Sequence, residues 1–198
     1  ARPLILTNYH VIQNAKRVQV MVNDSTIYTA VVVGADTLRD LALLRICCSI
    51  DFRAVPFGTA FGLSLSTEIV SIGYPPLSIG TELLPPEGGP TITEGVVSAK
   101  RYGSDVDTWM IQTDAAINHG NSGGSLLTGS GEIVGISTFT LDPEYFGLTS
   151  IKGLGFAVSE ETISAVLPDL WPAARSPRHR IYWGNRAPPT PVRVTGTP

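Results

Sequence analysis

Apolar residues fall in short runs along this chain, rich in Val, Ile, Thr and aromatic side chains and divided by clusters of Gly, Pro, Asn and Asp. Such punctuation predicts strands, because β-branched and aromatic side chains suit a pleated surface and Gly or Pro closes each run. Strands are predicted at Leu4–Thr7, Val18–Val22, Ile27–Val33, Leu41–Ile46, Glu68–Ile72, Gly95–Ala99, Trp109–Thr113, Ser125–Leu127, Ile133–Ser137 and Leu154–Val158. With no helices between them, strands this short favour antiparallel barrels or a sandwich over an α/β sheet. One helix is predicted near the end. Ser159 offers a capping hydroxyl, Glu160 and Glu161 suit the positive end of a helix dipole, and Ile163, Val166 and Leu167 make an apolar face that Pro168 ends.

Composition narrows the picture. The 198 residues are 43% hydrophobic and 16% charged, the balance of a folded globular chain large enough to bury a core. No apolar run approaches the ~18 residues of a transmembrane helix. Cys47 and Cys48 are adjacent, which fits neither a disulfide framework nor a zinc site, so both are expected as buried thiols. The formal charge of −3 is unevenly spread: residues 1–169 hold all seventeen acids against nine bases, whereas the last 29 residues carry five arginines and no acid. An acidic body argues against nucleic acid as a partner, since phosphate binding needs clustered Lys and Arg. Six of the fifteen prolines lie between 170 and 198, so that tail is expected to be extended or disordered. The segment Pro75–Pro90 reads as a surface loop. Ala1 in place of Met suggests a fragment or a processed form, with any targeting signal out of view.

Three elements carry chemistry. His10, one of only three histidines, follows a predicted strand in Leu6-Thr7-Asn8-Tyr9-His10-Val11-Ile12; taken alone it is as well read as a structural side chain. Asp40 runs directly into the apolar strand Leu41–Ile46, so its carboxylate enters the edge of the core, a costly place unless something donates to it. It is either a strand-edge carboxylate or the orienting partner of an imidazole. Ser122 has glycine at −2, +1 and +2 in Gly120-Asn121-Ser122-Gly123-Gly124. Such a loop can turn sharply and aim backbone N–H groups at a developing oxyanion, although the bare string also suits a flexible turn. Together the three give the order His, Asp, Ser of chymotrypsin-type acyl transfer.

Those segments, with Gly95-Val96-Val97-Ser98-Ala99, the block Gln112 to Gly124 and Gly153-Leu154-Gly155-Phe156-Ala157-Val158, resemble the protease domain of the HtrA/DegP family of trypsin-like serine endopeptidases. The likeness runs in order from about residue 4 to residue 167. It implies an all-β fold of two packed antiparallel Greek-key barrels: residues 1–62 with His10 and Asp40, residues 63–168 with Ser122, and a Pro/Arg-rich tail over 169–198. It implies His10 as general base, Asp40 as its orienting acid and Ser122 as nucleophile, with Gly120, Asn121 and Ser122 at the oxyanion hole and no metal or organic cofactor. Ala116, Ile117, Asn118, Phe139, Gly155 and Phe156 would line the primary substrate pocket. Ala116 supplies no carboxylate there, which points to cleavage after small or medium aliphatic residues, and Asp114 is expected to serve structure. Polypeptide substrates, an extracytoplasmic setting and a possible homo-oligomer follow from the same likeness.

Departures accompany it. Family members have an earlier strand completing the first barrel, His119 and Ser125 replace the family's usual residues, Pro75–Pro90 is a longer connection, and no PDZ domain follows Val158 within this chain. A trypsin-fold scaffold that binds peptides without turnover, or in a latent state, is the alternative reading.

Overall fold

The computed structural model describes residues 4–22, 26–48, 53–74, 78–79, 82–83, 89–118, 120–138, 153–171 and 192–197. One antiparallel sheet is built from β1 (Leu4–Thr7), β2 (Arg17–Val22), β3 (Thr26–Asp36), β4 (Leu41–Ile46) and a late strand, β13 (Val192–Thr197), in the order β1-β4-β3-β2-β13. A second sheet closes on itself. Its strands are β5 (Glu68–Gly73), β8 (Thr91–Gly103), β9 (Thr108–Thr113), β10 (Ser125–Thr128), β11 (Ile133–Thr138) and β12 (Gly155–Ser159), ordered β10-β11-β12-β9-β8-β5. Between β5 and β8, inside the expected surface loop, β6 (Ser78–Ile79) and β7 (Glu82–Leu83) pair as a two-residue ladder. The helix α1 (Glu160–Leu170) follows β12.

The pattern of side chains explains the arrangement. In β2, Val18, Val20 and Val22 alternate inward with more exposed neighbours, the period of a strand with one buried face. β4 instead buries both faces. Ala42, Leu44 and Ile46 join β2 and Ile12 in a core beneath the first sheet, while Leu41 and Leu43 join Ile136, Val158, Ile163, Val166 and Leu170 in a seam shared with the barrel and α1. A third cluster, including Ile69, Val97, Ile111, Leu126 and Val134, fills the barrel itself. Gly34 allows the closest approach at the seam, since a Cβ there would lie 2.1 Å from the Leu170 carbonyl oxygen.

The all-β, barrel-like architecture agrees with the sequence reading; among the described residues only the second sheet closes. Several local expectations change. Cys47 and Cys48 are exposed, not buried, because the apolar run ends at Ile46 and the chain bends away, leaving the two sulfurs 3.0 Å apart. α1 runs past Pro168 to Leu170. The proline sits in the last turn, and Trp171 N–H still closes on the Leu167 carbonyl. The Ser159 hydroxyl makes no capping bond. Within the tail, expected to be extended or disordered, Val192–Thr197 is an extended strand, pairing antiparallel with β2 from Val192 opposite Val22 to Thr197 opposite Arg17.

Candidate active site

Strand register brings distant residues together. β1 and β4 pair with Thr7 opposite Ala42, so the turn after β1 lies over the residue that enters β4. The Asp40 carbonyl oxygen accepts hydrogen bonds from Tyr9 N–H at 3.2 Å and from Asn8 Nδ2 at 2.9 Å. Asp40 Oδ1 accepts the His10 backbone N–H at 2.8 Å, and its Oδ2 lies 2.7 Å from His10 Nδ1. Asp40 thus grips His10 by main chain and ring, with its side chain only 15% exposed against 36% for His10. Oδ2 also accepts the hydroxyl of Thr138, buried at the end of β11, at 3.1 Å. This is the donor set that an enclosed carboxylate requires, and one donor comes from the barrel. Asp40 adopts a left-handed φ of 55°, which an Asp tolerates better than most residues.

The Ser122 loop is shaped by two left-handed glycines, Gly120 at φ 91° and Gly123 at φ 81°. A Cβ on Gly123 would fall 2.2 Å from Thr7 Oγ1, so the absence of a side chain lets this loop press against the strand that leads to His10. Gly123 N–H donates to the Ser137 carbonyl at 2.9 Å, and Ser137 N–H to the Gly124 carbonyl at 2.8 Å. The same strand end therefore holds the Ser122 loop through Ser137 and Asp40 through Thr138. Ser122 itself is half-buried.

Two amides in the loop differ from a third. Asn121 N–H donates to the Asn118 carbonyl at 3.0 Å and its Nδ2 to the Ala116 carbonyl at 3.1 Å. Asn121 therefore helps shape the loop through its backbone N–H and one N–H of its side chain. Among the described residues no partner occupies the amides of Gly120 and Ser122.

The predicted pocket residues divide. Ile117 is buried and packs where a Cβ on Gly155 would meet its Cδ1 at 2.9 Å. Ala116 and Asn118 are exposed on the approach to the loop, and Phe156 is half-buried on β12, paired with Gln112 and Thr138. Phe139 and His119 lie outside the described residues. Asp114 serves structure, its Oδ1 accepting Val96 N–H at 2.7 Å. Sequence reasoning missed Asn8 and Thr138, and the available signal was faint: each is a polar residue at the end of an apolar strand, where burial demands a partner. Among the described residues no cluster of three or more His, Cys, Asp or Glu could hold a metal ion.

The family model for a trypsin-like peptidase domain matches residues 1–136. The chain belongs to the trypsin-like peptidase family. Within this family it is similar to HtrA-type proteases. It is 36% identical over 188 residues to serine endoprotease DegS of Escherichia coli K12, an alignment covering 93% of this chain and 50% of DegS. It is 33% identical over 183 residues to a probable periplasmic serine endoprotease DegP-like of Rickettsia prowazekii, covering 90% of this chain and 33% of that protein. A solved structure of the HtrA-type protease AlgW with a decapeptide superposes with a TM-score of 0.69 at 32% identity, covering 84% of this chain and 48% of that one. This trypsin-like peptidase chain thus spans half or less of the length of these relatives. Among its described residues no helix is long and apolar enough to cross a membrane.

Proposed function

We propose that this chain is a serine-type endopeptidase in which His10, Asp40 and Ser122 form the catalytic triad. The observation that carries this reading is the double grip of Asp40 on His10, at 2.8 Å to the backbone N–H and 2.7 Å to ring Nδ1. A carboxylate on Nδ1 leaves Nε2 as the basic nitrogen. His10 then takes the Ser122 hydroxyl proton as the serine oxygen attacks a peptide carbonyl, and returns it to the leaving amine; water repeats the sequence to release the acyl group. The backbone amides of Gly120 and Ser122 receive the oxyanion, each such donor being worth about 10²–10³ in rate.

Ala116, Ile117, Asn118, Phe139, Gly155 and Phe156 would line the primary pocket, and the absence of a carboxylate from this set favours small or medium aliphatic side chains before the cut. Polypeptides are the substrate class, in keeping with the peptides in the AlgW structures. An extracytoplasmic setting is in keeping with the periplasmic description of the DegP-like relative.

The test is mass-spectrometric labelling with a fluorophosphonate. The wild-type chain is expected to be labelled at Ser122 alone, and Ser122→Ala and His10→Ala to lose the label. A folded wild-type chain that does not label would overturn the endopeptidase reading.

A further inference from the structure

One residue before Asp40, Arg39 links both halves of the molecule. Its own turn is held by Asp36, whose Oδ1 accepts Leu38 N–H at 3.0 Å and Arg39 N–H at 2.9 Å and whose Oδ2 accepts Arg39 Nη1 at 2.9 Å. The rest of the guanidinium crosses to the turn between β8 and β9. Nε donates to the Asp107 carbonyl oxygen at 3.0 Å, and Nη2 donates to Asp107 Oδ2. Asp107 has its own support, since its Oδ1 accepts the Tyr102 hydroxyl at 2.7 Å and the Tyr102 ring lies against Trp109 with centroids 5.1 Å apart. Arg39 is 20% exposed although Asp107 is 62% exposed, so the fork is shielded more than its partner.

We propose that Arg39 is a positioning residue, tying the turn that carries Asp40 to the barrel that carries Ser122 and thereby holding the His10–Asp40 pair in register with the nucleophile. This rests on the triad reading above. Two features make the turn dependent on such support. Asp40 holds a left-handed φ of 55° and Asp107 one of 45°, a region less favourable for a non-glycine residue even where Asp tolerates it, so bonds to neighbouring groups help fix each turn. Arg39 supplies bonds to both. Thr138 makes the second cross-connection, at the carboxylate itself, so Asp40 is registered to the barrel at two points. Charge supports the same conclusion. The hydrogen bond from Tyr102, then that from Arg39, holds the Asp107 carboxyl below its usual range, while Asp36 and then Asp107 raise the Arg39 guanidinium. The link is therefore ionised wherever the imidazole works. An exposed ion pair adds little to folding, so its loss should be read in rate.

The experiment compares the wild-type chain with Arg39→Met, Arg39→Lys, Asp107→Asn and the Met/Asn double variant, following fluorophosphonate labelling of Ser122, kcat and KM on a peptide, thermal melting, and the low-field proton resonance of His10 Nδ1–H. Arg39→Met is expected to slow labelling and kcat about tenfold, as a modest misplacement of a catalytic group does, with KM within about twofold. Arg39→Lys should recover only part of the loss, because one ammonium cannot span Asp36 and Asp107 together. Asp107→Asn should lose as much as Arg39→Met, and the double variant no more than either alone. Wild-type rates in Arg39→Met, a loss confined to KM, or losses that multiply in the double variant would each overturn the proposal. If the folded wild-type chain does not label at all, the endopeptidase reading fails, and the His10 resonance then judges the link by itself. A sharp signal that broadens in Arg39→Met supports it, and an unchanged one overturns it.

Discussion

At the scale of single residues, Thr138 shows how a side chain without chemistry of its own shapes a reactive pair. Its hydroxyl reaches Asp40 from the other sheet, so its removal leaves Oδ2 with His10 alone and loosens the ring. Hydrogen bonds to charged groups contribute about 1.5–3 kcal/mol, and the lower figure already corresponds to about tenfold in rate. Thr138→Val is therefore expected to lower kcat/KM about tenfold or more on a chromogenic peptide while circular dichroism stays unchanged. His10, Asp40 and Ser122 stood out in sequence as candidates because local context marked each one, in a strand end, an apolar entry and a glycine frame. Thr138, Asn8 and Arg39 did not. Their roles depend on which strands become neighbours, and nothing local states that β11 ends beside the turn before β4.

At the scale of elements, strand periodicity was read well where one face is buried, as in β2, and poorly at element ends. β3 and β8 extend past their apolar stretches to Asp36 and to Gly103, because backbone pairing continues after the side chains turn polar. The last turn of α1 was missed because a proline there gives up the N–H bond to the carbonyl four residues earlier, and burying Leu170 in the seam offsets that cost. Gly34 is where that turn meets β3. Gly34→Ala would push the Leu170 carbonyl out of a 2.1 Å overlap. A loss of about 1–3 kcal/mol is expected, measurable by urea unfolding, as for other overpacked contacts.

At the scale of the whole molecule, the Arg39 link gives a pH dependence with a definite sign. Asp107 is held below its ordinary value when folded, so its contribution is complete above the usual carboxylate range and disappears as pH falls through the lowered one. Tyr102 behaves in the opposite sense. Its hydroxyl is raised by the bond to Asp107, so that contribution is complete below the ordinary tyrosine range and is lost as pH rises through the raised value. Melting temperatures of the wild type and Asp107→Asn should accordingly differ by a small, constant amount between about pH 5 and 8 and converge on acidification below about pH 3.9.

The two-faced burial of β4 has a mechanical consequence. A strand whose alternate side chains belong to two different cores cannot be withdrawn from one without exposing the other. The line between sheet and barrel is a weld, and rigid-body swinging of one half against the other would tear both. The molecule should lose its structure in a single cooperative step, with β4 among the last segments to let go.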